Sequence, residues 1–244
     1  MSIAVPEIAM VFAAGLGSRM RPVTDHLPKP LVKIGGRAML DHMLDRLAEA
    51  GVKKAIVNVH YLADQIEAHL ATRIKTRPLP EIIVSDERAL LLDQGGGLAK
   101  VLPVLGTRPV LLCNTDALWL EGPRSNIVRL AASFDPARMD MALLVANAAT
   151  AIGIDWPGDF TLSADGLLAR RQECQVAPFV YSGVALVKPQ LFAQDTRQVF
   201  GLAPFFFAAA AQGRLHGVRL DGIWLHVGTP EAIDEAARAL ARSV

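Results

Sequence analysis

Arg19 and Lys29 stand ten residues apart in one loop, behind the apolar run Ile8 to Ala13 and the glycines Gly15 and Gly17. Glycines at a strand end let the backbone turn sharply and present N–H groups as a nest for anionic oxygens. Two cations beside such a nest are costly unless an anion sits between them, arginine offering a planar fork and lysine a mobile point charge. Pro28 and Pro30 flank Lys29 and stiffen its backbone, which keeps that lysine near one place. Taken alone, Gly15 and Gly17 are equally consistent with an ordinary tight turn. Met20 occupies the place of a third dinucleotide-fingerprint glycine, and the Gly-Lys-Ser/Thr of a P-loop is missing, so neither motif fits. Farther along, Asp116 follows the apolar run Val110 to Leu112. A carboxylate at a strand's carboxyl end is well placed to hold Mg²⁺ against phosphates.

The elements that must position these residues follow from hydrophobic periodicity. Ile8 to Ala13 is a continuous apolar run bounded by glycines, as expected of a strand covered on both faces. Leu40, Met43, Leu44 and Leu47 keep helical spacing, with Gly51 as a stop. Further strands are expected at Ala55 to Val59, Ile82 to Val84, Val110 to Leu112 and Met141 to Val145. Helices are expected around Leu62 to Leu70, Leu98 to Leu102 and Ile127 to Ala132. This alternation predicts βαβ units and a mainly parallel sheet, with ligands at the carboxyl ends of its strands. Beyond residue 145 the rhythm changes to a hairpin turning at Asp165-Gly166 and strands at Val180 to Val187 and Ile223 to Val227. Leu202 to Ala211 reads as a buried helix, and a closing helix starts near Pro230.

Composition narrows the class. The 244 residues are 52% hydrophobic and 20% charged, which suits a globule of enzyme size. With 25 basic and 24 acidic residues the net charge is +1, so no footprint for nucleic acid or an anionic membrane is expected. Any anion site must therefore be local. The longest apolar run falls short of the ~20 residues of a spanning helix. Cys113 and Cys174 lack disulfide or metal spacing, which favours a reducing, cytoplasmic setting, and Glu7 in the first apolar stretch argues for a strand over a leader.

Ala13-Ala14-Gly15-Leu16-Gly17-Ser18-Arg19, followed by Pro28-Lys29-Pro30-Leu31, resembles the first signature of the sugar-phosphate nucleotidyltransferases. The likeness continues through LLDQGGGLAKVLPVLG (91–106), LLCNTD (111–116), PGDF (157–160), YSGVALVKP (181–189) and WLHVGTPE (224–231), and so covers nearly the whole chain. Within that family the length and the Gly-Asp-Phe, Ser-Gly and Val-Gly-Thr features are most similar to the short bacterial N-acetylmuramate 1-phosphate uridylyltransferases. The resemblance implies an α/β fold of the nucleotide-diphospho-sugar transferase type. Its sheet would be Rossmann-like, mainly parallel but mixed, flanked by helices, with a small sugar-binding β subregion. One domain over residues 1–244 is expected, nucleotide-binding to about 145 and sugar-binding and closing from about 146.

The same resemblance implies catalytic roles for Arg19, Lys29 and Asp116, and nucleotide contacts from Ala13, Ala14, Gly15, Gly17, Gln94, Gly95 and Gly96. Sugar contacts are implied for Gly158, Asp159 and Gly183, and a Mg²⁺ site, with Mn²⁺ as an alternative, at Asp116 and His226. The implied partners are a nucleoside triphosphate and a sugar 1-phosphate, UTP and N-acetylmuramate 1-phosphate matching best, in peptidoglycan recycling, with no protein partner. Another hexose or heptose 1-phosphate, or nucleotide-sugar binding without turnover, stays open. Three departures from the family pattern matter. His226 replaces an aspartate, which leaves direct ligation, a water-mediated contact, the favoured reading, or a structural histidine. Gln94 stands where a threonine is frequent, either reading a base edge or facing solvent. Glu173-Cys174 lacks the family's sugar-phosphate lysine, for which Arg170 or Arg171 could substitute; each is equally a solvated charge.

Overall fold

Strand β1 (Ile8–Phe12) is apolar throughout, and its centre, Ala9, Met10 and Val11, is buried because both of its faces are covered. The computed structural model that contains it describes residues 3–242. After β1 come the short antiparallel pair β2 (Lys33–Ile34) and β3 (Arg37–Ala38), then α1 (Met39–Glu49), β4 (Lys54–Val59), α2 (Ala63–Thr76), β5 (Glu81–Asp86) and α3 (Asp93–Leu105). The middle of the chain forms β6 (Val110–Asn114), β7 (Ala117–Glu121), α4 (Asn126–Ser133) and β8 (Met141–Asn147). It continues with β9 (Phe160–Leu162), β10 (Leu168–Arg170), β11 (Phe179–Val187), α5 (Ala203–Ala211), β12 (Leu215–Arg219), β13 (Gly222–His226) and α6 (Pro230–Ala241).

The main sheet runs β10-β9-β11-β6-β1-β4-β5, with β8 paired to β11 and β12 to β8. β6, β1, β4 and β5 are parallel, as the βαβ rhythm predicts. β11 joins β6 antiparallel and so brings the second half of the chain into the sheet of the first. Leu40, Leu44, Ile66 and Leu130 from α1, α2 and α4 cover one face, and Leu98, Val101, Phe206 and Ala209 from α3 and α5 cover the other. Because β4 and β5 lie on one side of β1 and β6 on the other, the order reverses between β1 and β6. That reversal opens a crevice at the carboxyl ends of both strands.

A separate two-stranded sheet, β7 with β13, stands beside this crevice. Together with the turn at Met20, the β2 strand and α6 it closes a third apolar cluster around Ile34, Leu118, Leu225 and Val227. Helix α5 departs from expectation. Its apolar run predicts full burial, yet only Phe206 and Ala209 are buried within it; Ala203, Pro204, Ala208 and Ala211 are exposed, and Phe206 and Phe207 border a cavity. Among the described residues no helix is long and apolar enough to cross a membrane.

Candidate active site

The loop after β1 carries out the turn its glycines suggest. Gly17 has φ 66°, a left-handed conformation, and its carbonyl accepts from the Met20 N–H at 2.9 Å and the Thr24 hydroxyl at 2.8 Å. A side chain there would crowd Thr24 and Lys29 at 3.0 and 3.1 Å. Among the described residues the backbone N–H groups of residues 15–19 have no protein acceptor, and Gly15, Gly17, Ser18 and Arg19 line a cleft of about 360 Å³. Ala13, Ala14, Gly15, Gly17, Arg19 and Lys29 all line that cleft. Arg19 is exposed at its rim and, among the described residues, makes no hydrogen bond or ion pair.

Lys29 opens a single 3-10 turn, Lys29–Leu31, capped by Pro28, and its Nζ donates to Asp116 Oδ2 at 2.6 Å. Both side chains are largely enclosed, 14% and 22% exposed. Asp116 sits just beyond β6, where the Thr115 hydroxyl donates to the Phe12 carbonyl at 3.2 Å and ties the ends of β1 and β6 together. Burial pushes the Asp116 carboxyl up, but the Lys29 ammonium outweighs it and, with help from His226, holds the carboxyl below the usual carboxylate range.

The small sheet pairs His226 with Ala117, the residue after Asp116, although His226 is not among the residues that line the cleft. Its ring stacks on Trp224 at 5.4 Å and meets the edge of Trp156 at 5.2 Å. Burial lowers its pKa; Asp116 pulls it up, while Lys29 and Arg19 push it down, so the imidazole is held neutral. Among the described residues no cluster of three or more His, Cys, Asp or Glu side chains could hold a metal ion. One carboxylate with a neutral imidazole nearby does fit a hard divalent cation whose other donors are water and ligand phosphates.

Two of the glycines of α3, Gly95 and Gly96, expected at the nucleotide, are not among the residues that line the cleft. Gly95 and Gly96 are buried, and both their N–H groups donate to the Phe200 carbonyl, at 2.8 and 3.1 Å. A Cβ on either would overlap Phe200 or the Gln198 carbonyl, so these glycines let segment 198–200 clasp the start of α3 instead of facing the cleft. Gln94 does line the cleft, and its side-chain amide donates to Asn114 Oδ1 at 2.7 Å, forming a partition at the cleft's inner end.

Two residues without a sequence signal hold the cleft in shape. Asn58 Oδ1 accepts from the Ala13 N–H at 2.7 Å, and its Nδ2 donates to Glu87 Oε1 at 2.9 Å. Burial raises the Glu87 carboxyl while Asn58 and the Leu92 N–H act against that rise. The end of β1 is thereby tied to the start of α3. Asn58→Ala strands both partners, and urea unfolding is expected to show a loss of about 2–4 kcal/mol; an unchanged midpoint would remove Asn58 from this role.

Beyond the Gln94–Asn114 partition lies a second cavity of about 750 Å³, edged by the hairpin β9–β10, Tyr181 and α5. Gly158 and Asp159 border it, but Asp159 Oδ2 accepts from the Tyr181 N–H at 2.9 Å, and burial raises its pKa. Gly183 does not border either cavity. It lies beneath Asn114 and Ala117, where a Cβ would meet Ala117 at 2.8 Å, so its small size serves strand packing. The Tyr181 hydroxyl is buried and, among the described residues, has no hydrogen-bond partner.

Free amides at a topological switch point, opening onto a cavity wide enough for a sugar, are the layout of a Rossmann-like nucleotidyltransferase. The chain belongs to the MobA-like NTP transferase domain family, whose model matches residues 9–221. Two relatives carry the name N-acetylmuramate alpha-1-phosphate uridylyltransferase. That of Caulobacter vibrioides is 45% identical over 238 residues, 98% of each chain. That of Neisseria meningitidis serogroup B is 34% identical over 234 residues, 96% of this chain and 97% of its own. Among solved structures the inositol-1-phosphate CTP transferase from T. maritima has a TM-score of 0.79 at 16% identity, covering 100% of this chain and 98% of that one, and so shares the fold.

Proposed function

We propose that this chain transfers a uridylyl group from UTP to N-acetylmuramate 1-phosphate, giving the UDP-sugar and pyrophosphate, in peptidoglycan recycling within a reducing cytoplasm. The observation that carries this reading is the 45% identity over 98% of the chain with a uridylyltransferase of that name. Arg19, Lys29 and Asp116, all on one cleft, are consistent with it. We read residues 1–244 as one working unit, which the pairing of β11 with β6 supports.

The sugar phosphate oxygen attacks the α-phosphorus in line, forming one P–O bond as the bond to the β-phosphate oxygen breaks. The nucleophile is already an anion, so no general base is required. Catalysis is positioning and charge stabilisation. The N–H groups of residues 15–19 hold the triphosphate, Arg19 balances charge on the departing pyrophosphate, and Lys29 orients the phosphates while keeping Asp116 ionised. Asp116 would hold a divalent cation, Mg²⁺ or Mn²⁺, with His226 beside it; when bound, that cation neutralises charge on phosphate oxygens. Ala13, Ala14 and Gln94 form the nucleotide side of the cleft, and Gly158 and Asp159 border the sugar side.

The test is pyrophosphate release from each of four nucleoside triphosphates against a panel of sugar 1-phosphates, with Mg²⁺ and Mn²⁺ in parallel. UTP with N-acetylmuramate 1-phosphate is the expected pair. Release only with another pair would replace the substrate assignment, and nucleotide binding without any release would mark a sensor in place of an enzyme.

A further inference from the structure

One cation in the second cavity is left unused by the fold. Arg170 ends β10 with its guanidinium carbon 4.1 Å from the Phe207 ring centroid, and among the described residues its side chain makes no hydrogen bond or ion pair. Its neighbour Arg171 is committed elsewhere. Nε of Arg171 donates to the Gly158 carbonyl at 3.0 Å, and Nη1 to the carbonyls of Gln172 and Gln175 at 3.2 and 3.1 Å, which holds the loop between β10 and β11. Glu173 is exposed in the same wall and does not pair with Arg170. An aromatic face under a guanidinium restrains its plane and leaves the in-plane N–H fork free for a bidentate acceptor.

That acceptor is not the reacting phosphate, which on the reading above sits by Lys29 and Asp116 across the Gln94–Asn114 hydrogen bond. An arginine in the other cavity is placed for an anionic group elsewhere on the sugar. N-acetylmuramate differs from N-acetylglucosamine by an ether-linked lactyl group, which ends in a carboxylate. We propose that Arg170, steered by the Phe207 face, pairs with that carboxylate and selects acidic sugar 1-phosphates over neutral ones. The inference rests on the N-acetylmuramate reading given above.

The experiment compares wild type, Arg170→Gln and Arg170→Lys with N-acetylmuramate 1-phosphate and N-acetylglucosamine 1-phosphate, with UTP binding as a check on folding. Arg170→Gln is expected to raise KM for the acidic sugar roughly 10- to 100-fold, the scale of one charge-assisted hydrogen-bonded pair. Its kinetics with the neutral sugar should stay unchanged, so the acid-over-neutral ratio of kcat/KM collapses, and Arg170→Lys should restore part of it. Equal losses with both sugars would assign Arg170 to the shared phosphate or to the loop and overturn the proposal, as would no change with either. Wild-type protein inactive on N-acetylmuramate 1-phosphate but active on another sugar would instead sink the substrate assignment, and this inference with it.

Discussion

Asp116→Asn is expected to reduce pyrophosphate release by roughly 10³-fold or more, the scale of losing the several kcal/mol that a bound cation contributes to charge stabilisation. The substitution keeps the shape of the side chain and removes its charge, so the fold should survive it. What changes is the electrostatics. Lys29 Nζ, 2.6 Å from the carboxylate and only 14% exposed, loses its counter-charge, and His226 loses the anion that draws its pKa up. Among the described residues no group of three or more His, Cys, Asp or Glu side chains stands ready to hold the cation in its place. Titrating UTP with and without Mg²⁺ or Mn²⁺ supplies the second readout. Wild type should bind nucleotide more tightly with the cation, and the variant should lose that gain. Turnover within tenfold of wild type would remove Asp116 from the machinery.

Lys29→Ala should lower kcat by roughly 10²–10³-fold, or about 2.7–4 kcal/mol, as for the loss of one donor to a transition-state oxyanion. It should also move the acid limb of the pH profile. Burial pushes the Asp116 carboxyl up and Lys29 holds it down, so without Lys29 the effect of burial prevails and the carboxyl takes up its proton at higher pH. The acid limb of kcat/KM therefore shifts upward. Stability follows the same sign. A lowered native carboxyl contributes stability above its unfolded pKa and loses it as pH falls through the native value, so the Tm curves of wild type and variant should converge in acid. Lys29→Arg keeps the charge but not the compact point donor, and should recover only part of the rate. An acid limb that stays in place would show that another group keeps Asp116 ionised.

Residues whose work is local were legible in the chain. Gly17 announces a turn because its left-handed backbone is a property of that one position, and Arg19 and Lys29 line one cleft because they share its loop. Asp116 could be read from its place after an apolar strand. Asn58 and Glu87 gave no such signal. Each is one polar residue near the end of an apolar strand, and its meaning lies in partners 45 and 29 residues away. Gly95 and Gly96 show the converse. Glycines announce a close approach but not what approaches, and here it is the Phe200 carbonyl. The apolar run in α5 likewise reported hydrophobicity without the cavity beside it.

The sequence alone determined the βαβ rhythm, the loop after β1 and the set of charges beside it, because periodic burial and backbone sterics act over a few residues. Only the tertiary structure decided that Lys29 meets Asp116 across 87 residues. It also decided that His226 lies beside Asp116 through the pairing of β13 with β7, and that Arg170 rests on Phe207 and not on an acid. Such pairings are set by how whole layers pack against one another, and spacing along the chain carries no record of them.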